Sequence, residues 1–255
     1  MQIINRTIPR EGKISTLLER LNDYIEPVDK NWFSKIKPAD IDLLYKLKRV
    51  LGMEETGVEF PESFVEFVKY AGEDDGGLLS KTLKGNLSIS DLVESNEEIY
   101  KFEKESLTPY YFEFLEDEIG MSYAIDLHGN REMGIYLGKT IVSDTFEKLL
   151  FQSAVRLYER KYFLINVSFG ASINSLKESL NLRKGVKTFE LLDELCKKYS
   201  LTKAWFSDEH FSFVYSEQIS IYLRKTVGIS GMIFGNNEKL VKAIANDLLP
   251  KIGAH

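Results

Sequence analysis

The chain has 255 residues, 44% hydrophobic and 28% charged, with a net charge of −6, a composition that suits one or two globular domains with a real core. One cysteine and three histidines exclude an internal disulfide and leave little material for a structural zinc site. No apolar run approaches the roughly 18 residues that span a bilayer, and the N-terminus lacks the basic-then-apolar pattern of a secretion signal, so the expectation is a cytoplasmic protein without a cofactor.

Ser15 can cap a first helix over Leu17, Leu18, Leu21 and Ile25, which Pro27 ends. Asp40 can cap a second, with Ile41, Leu44, Leu47 and Leu51 at helical spacing and Gly52 as its stop. Pro61 opens a third at a position where its missing N–H costs nothing. Phe64, Val65, Phe67 and Val68 form its apolar stripe; Glu62, Glu66 and Lys69 suit its dipole, and Gly72 closes it. A loop of three acids and two glycines comes next, Glu73-Asp74-Asp75-Gly76-Gly77. Strand signals then take over in LSISDLV (87–93), MSYAIDLHGN (121–130) and MGIYLGKTIVS (133–143), with a hairpin turn expected over Leu127 to Asn130. The stretch from Ser95 to Glu105 reads as an exposed helix. Ser143 or Asp144 can cap a further helix with Phe146, Leu149, Leu150, Ala154, Leu157 and Tyr158 on one broad face.

Helices, a meandering sheet and a closing helix spell an α+β domain over residues 1–158. A smaller α+β unit over 159–255 is expected to dock on it, since no Gly/Ser/Pro-rich linker intervenes. It reads as a strand in YFLINVSF (162–169), helices in INSLKESL (173–180) and TFELLDELCKKY (188–199), and three strands in 203–225 that turn at Asp208-Glu209 and Glu217-Gln218. SGMIFG (230–235) adds a strand, and Asn236 or Asn237 caps a last helix in which Leu240, Ile244 and Leu248 stack. Alternation puts Phe211, Phe213 and Tyr215 on one face, expected to pack against that last helix.

Charge is uneven along the chain. Residues 62–118 hold 15 acids and 5 bases, a balance of −10 that leaves +4 for the rest. Such a field disfavours nucleic acid and attracts basic partners, speeding association more than it raises affinity. Two clusters stand out as candidate contacts: Glu73, Asp74 and Asp75, and Glu116, Asp117 and Glu118. The first has neither the ligand spacing of an EF-hand nor the lysine of a phosphate loop. The alternative for both is a solvated loop.

No catalytic constellation emerges. His128 near Asp126 and His210 beside Glu209 are the acid–histidine neighbours, and neither spacing is expected to build a relay. Cys196 lies next to the apolar face of a helix and reads as packing. Ser168 to Ser172 misses the nucleophile elbow, and Gly228 to Gly235 misses the dinucleotide fingerprint.

Between Asp40 and Leu157 the order of motifs resembles the SUKH superfamily. Phe60-Pro61, Phe64, Phe67-Val68 and the pair Gly76-Gly77 match its Pro-capped helix and glycine pair; Gly120, Tyr123 and Asp126 match its Gly-aromatic-x-x-Asp strand; Ser143 to Glu147 with Leu149-Leu150 match its closing helix. The loop before the glycine pair is longer than in many members, and the last 95 residues lie outside the pattern. The resemblance implies a mainly antiparallel sheet with flanking helices, no catalysis, and binding to a protein. Bacterial members are mostly immunity proteins that neutralise a toxin, here one with a basic surface such as a nuclease. The alternatives are a regulatory or scaffolding module and an enzyme acting through the C-terminal unit. The sequence leaves the toxin and the oligomeric state open.

Overall fold

The computed structural model describes residues 6–8, 16–103, 107–128, 134–172, 190–225 and 228–252. Local signals set most helix boundaries. The first helix, α1 (Leu17–Ile25), is held by a reciprocal box in which the Thr16 hydroxyl accepts from the Glu19 N–H and the Glu19 carboxylate accepts from the Thr16 N–H. The cap is therefore Thr16; Ser15 lies outside the described residues. A single turn, α2 (Trp32–Lys35), buries Trp32. Asp40 accepts from the Asp42 N–H and starts α3 (Ile41–Val50), and another turn, α4 (Met53–Thr56), begins after Gly52. Next, α5 (Glu62–Ala71) begins one residue after Pro61 and buries Phe64, Phe67, Val68 and Ala71, with Gly72 as its cap.

The chain divides into two compact units. One comprises residues 12–157; the other combines 158–255 with residues 1–11. The N-terminal residues thus belong with the C-terminal unit, whereas the sequence grouped them with the first.

In the 12–157 unit, β1 (Ile36–Lys37) pairs antiparallel with β2 (Asp74–Asp75). Two helices come after it, α6 (Leu78–Leu83) and α7 (Ile89–Phe102). The expectation of a strand at 87–93 is corrected here. Ser88 accepts from the Asp91 N–H and caps a helix that runs on through the predicted exposed segment. The β-like alternation of LSISDLV is overridden by this serine cap, which commits Ile89 and Val93 to one helical face, both buried. A four-stranded antiparallel meander comes next: β3 (Tyr111–Glu116), β4 (Ser122–Asp126), β5 (Ile135–Leu137) and β6 (Thr140–Ser143). The expected turn over 127–130 falls partly outside the described residues. α8 (Phe146–Tyr158) starts where the Thr145 hydroxyl accepts from the Lys148 N–H. Phe64 sits at the centre of the core, with ring centroids 5.4 Å from Phe60, 5.4 Å from Phe112, 6.3 Å from Phe114 and 5.1 Å from Phe146.

The second unit is built on a five-stranded antiparallel sheet in the order β7-β11-β10-β9-β8, with β7 (Ile165–Ser172), β8 (Thr202–Lys203), β9 (Phe211–Tyr215), β10 (Ile219–Lys225) and β11 (Gly228–Gly235). Two helices, α9 (Glu190–Tyr199) and α10 (Glu238–Ile252), cover one face. The expected helix at 173–180 lies outside the described residues. Asn237 caps α10 by accepting from the Leu240 N–H, while Asn236 accepts from the Leu164 N–H.

One expectation about the sheet is reversed. Val214, Ile219, Ile221, Leu223, Ile229 and Ile233 meet Val241, Ile244 and Leu248 of α10. Phe211, Phe213 and Tyr215 share the other face, where they stack on Tyr222, Phe206 and one another. Alternation shows that the three rings share a face; it cannot say which face receives the helices. Arg6 closes onto this aromatic side. Its guanidinium lies 5.1 Å from the Phe163 ring and 5.4 Å from the Tyr215 ring, donates to the Ser216 carbonyl at 2.6 Å, and pairs with the fully buried Glu159.

Candidate protein-interaction surface

The two acidic clusters have different fates. The first turns inward. Asp75 is 3% exposed, and its carboxylate accepts from the N–H groups of Gly77 (2.7 Å), Leu79 (2.5 Å) and Ser80 (2.8 Å) and from the Ser80 hydroxyl (2.9 Å). It satisfies the free donors at the start of α6 and suits the positive end of that helix. Gly76 and Gly77, with φ of +64° and +86°, let the backbone fold round this carboxylate. Glu73 does the same for α7, accepting from the Ser90 N–H (3.0 Å) and from the hydroxyls of Ser88 (3.0 Å) and Ser90 (2.8 Å). Asp74 accepts from the Gly76 N–H at 2.9 Å within the turn. Asp75 is thus removed as a contact residue, and Glu73 and Asp74, both half-buried, are engaged in local bonds.

The second cluster turns outward. Glu116 ends β3, and residues 117–121 make the tight turn into β4. Asp117 holds that turn: its carboxylate accepts from the N–H groups of Ile119 (3.0 Å) and Met121 (2.9 Å), its own N–H donates to the Met121 carbonyl (2.9 Å), and its carbonyl accepts from the Gly120 N–H (3.0 Å). Behind the turn, Gly85 bridges to Asp117. A Cβ at Gly85 would sit 2.1 Å from the Glu116 carbonyl, so only glycine permits this approach. The bridge brings Lys84 within 3.7 Å of Glu118, both side chains well exposed.

The turn presents exposed Glu116 and Glu118 beside two apolar side chains, Ile119 at 78% exposure and Met121 at 39%. The sequence reading passed over Ile119 and Met121. The signal was available: Gly120 between two strand patterns marks a turn, and an isoleucine beside a turn glycine has no core to enter. Chemically the tip combines negative charge for steering with apolar area for contact, on a backbone fixed by Asp117.

Elsewhere Asp126 and His128, whose spacing was not expected to build a relay, come into contact. Asp126 ends β4, and its carboxylate accepts from the His128 N–H at 2.9 Å and lies 2.8 Å from Nδ1. The chain folds back over Asp126 instead of carrying His128 away. The imidazole is exposed and stacked by Tyr110, with ring centroids 4.9 Å apart. Asp208 accepts from the N–H groups of His210 (2.8 Å) and Phe211 (2.7 Å) and so holds the turn that leads into β9. Burial pushes the Cys196 thiol up, in keeping with its packing against the core beneath α9. Among the described residues no group of three or more His, Cys, Asp or Glu side chains could hold a metal ion, and no helix is long and apolar enough to cross a membrane. No protein-family model, curated protein or solved structure matches this chain.

Proposed function

We propose that this chain is a non-catalytic binding protein that neutralises a toxin by occlusion, in the manner of an immunity protein of the SUKH superfamily, and that the β3–β4 turn is the contact. One observation carries the reading: a turn fixed by Asp117 holds Glu116 and Glu118 in solvent around an Ile119 that is 78% exposed. A toxin that acts on nucleic acid needs a basic cleft for phosphates. A rigid acidic tip is steered into such a cleft, and Ile119 supplies the apolar area that slows departure. The acidic balance of residues 62–118 extends the same field.

The test begins with this chain as bait in its own cell extract, and each captured protein is then expressed with and without the chain. A partner that kills alone and is harmless in company supports the reading. A captured partner without toxicity supports a regulatory module instead, and toxicity unrelieved by the chain overturns the inhibitory role.

A further inference from the structure

Every open sheet has two edges whose unpaired N–H and C=O groups can template another strand, and natural edges are shortened, charged, bulged or covered. The edges of the two larger sheets differ in this respect. β8 is two residues long and carries exposed Lys203. β6 has four residues. β3 carries exposed Glu113 and Glu116, and its register shifts between Glu113 and Leu115. Among the described residues β7 shows none of these devices. Its eight residues, INVSFGAS, include no charge and no proline. They pair with β11 in unbroken register from Ile165 opposite Gly235 to Ser172 opposite Gly228. Among the described residues no strand lies along its other side. Phe169 is anchored in the core beneath the helices, with Ile165 and Val167 packed against it, while Asn166, Ser168 and Gly170 are exposed.

We propose that β7 pairs antiparallel with β7 of a second copy of this chain, joining two five-stranded sheets edge to edge. The chemistry of the edge selects this occupant. Two-fold self-pairing sets residue i against j and j against i, so a charge near the middle of the strand faces its own kind across or diagonal to the axis. β3, with Glu113 and Glu116, would repel itself; β7 is the long edge on which self-pairing meets no like charge. A partner selected by charge finds nothing on β7 to recognise, whereas a second copy brings a matching neutral ladder of equal length. With Ser168 on the axis, pairing keeps exposed positions opposite exposed ones and spans residues 165–171; so short a ladder buries little area, which makes the dimer weak and concentration-dependent.

Sedimentation of the full chain from about 1 to about 100 μM spans the range of such weak interfaces. The expected result is a mass that rises from 29.3 kDa toward twice that value as concentration increases. Ser168→Lys should weaken the dimer about tenfold or more by setting like charges across the axis. Ser230→Lys, which adds the same charge at an exposed position on the neighbouring interior strand β11, should leave it intact. Hydrogen exchange gives a second readout: backbone amides of 165–171 should gain protection at the high concentration, and those of β9 should not. A chain that stays at 29.3 kDa throughout, a dimer that survives Ser168→Lys, or unchanged protection in β7 would each overturn the proposal.

Discussion

The segments 73–75 and 116–118 are near-copies in composition, three consecutive acids with a glycine within the next two residues, yet the fold uses them in opposite ways. In the first, the side chains turn to the backbone of the next two helices: Asp75 holds the start of α6 and Glu73 the start of α7. In the second, one residue is spent on the turn, Asp117, and its two neighbours are left in solvent. The difference lies in the neighbouring structure. Helix starts offer unpaired N–H groups that draw carboxylates in, whereas a two-strand turn needs a single acceptor and displays the rest. A run of acids is therefore neither interface nor solvent by its own nature.

Substitutions at the two segments separate the tasks. The largest effect is expected at Asp75→Ala, which strips four hydrogen bonds from a buried site and strands the donors at the start of α6. A loss of about 3 kcal/mol should appear in urea unfolding. Glu73→Ala removes a more exposed cap and should cost about 1 kcal/mol by the same measurement. Should Asp75→Ala leave stability unchanged, the inward reading of the first segment fails.

At the second segment, Asp117→Ala should also cost about 1 kcal/mol, by freeing the N–H groups of Ile119 and Met121. Beyond that, it should loosen the tip and speed dissociation of the proposed partner. Glu116→Gln with Glu118→Gln should change stability by less than about 0.5 kcal/mol, as exposed positions do. Under the proposed function the pair of changes slows association with a basic partner and flattens its salt dependence. Association rates that keep their salt dependence would remove these acids from the interface.

The smallest effect concerns carboxylates bonded to side chains instead of backbone. Asp247 accepts from Lys198 and Tyr199, and Glu194 from Lys251, across α9 and α10. Hydrogen bonds from Lys198 and Lys251, respectively, hold both carboxyls below the ordinary carboxylate range. A lowered folded-state value contributes stability above the unfolded-state value, and that contribution disappears as pH falls through the folded-state value. Acidification below the ordinary carboxylate range should therefore release α9 slightly, an effect that Asp247→Asn reduces and that Asp247→Asn with Glu194→Gln removes. Because these pairs are exposed, the change should be small and salt-sensitive. Hydrogen exchange within α9 measured against pH reads it directly.

Much of the architecture was written in local chemistry. Asp40 and the Pro61 helix with its Phe64, Phe67 and Val68 stripe read correctly because a cap or an apolar period acts within a few residues. The last three strands of the meander and the strands of the second sheet were also legible as alternation broken by turns, and with them the α+β class, whereas β3, whose Phe112, Phe114 and Leu115 are interrupted by a bulge after Glu113, was not among the expected strands. LSISDLV misled because alternation and a serine cap compete over the same short stretch, and the cap won once the helix continued to Phe102.

The sequence by itself determined where most helices start, which stretches alternate, and where acid accumulates, since each depends on neighbours in the chain. Tertiary structure decided the rest. It chose the face of the second sheet that the helices cover, brought Arg6 back to Glu159 and the rings of Phe163 and Tyr215, and buried Asp75 while exposing Glu118. These outcomes turn on which distant groups come within a few ångströms. Burial and hydrogen-bond demand are properties of that meeting, and no window of sequence contains both sides of it.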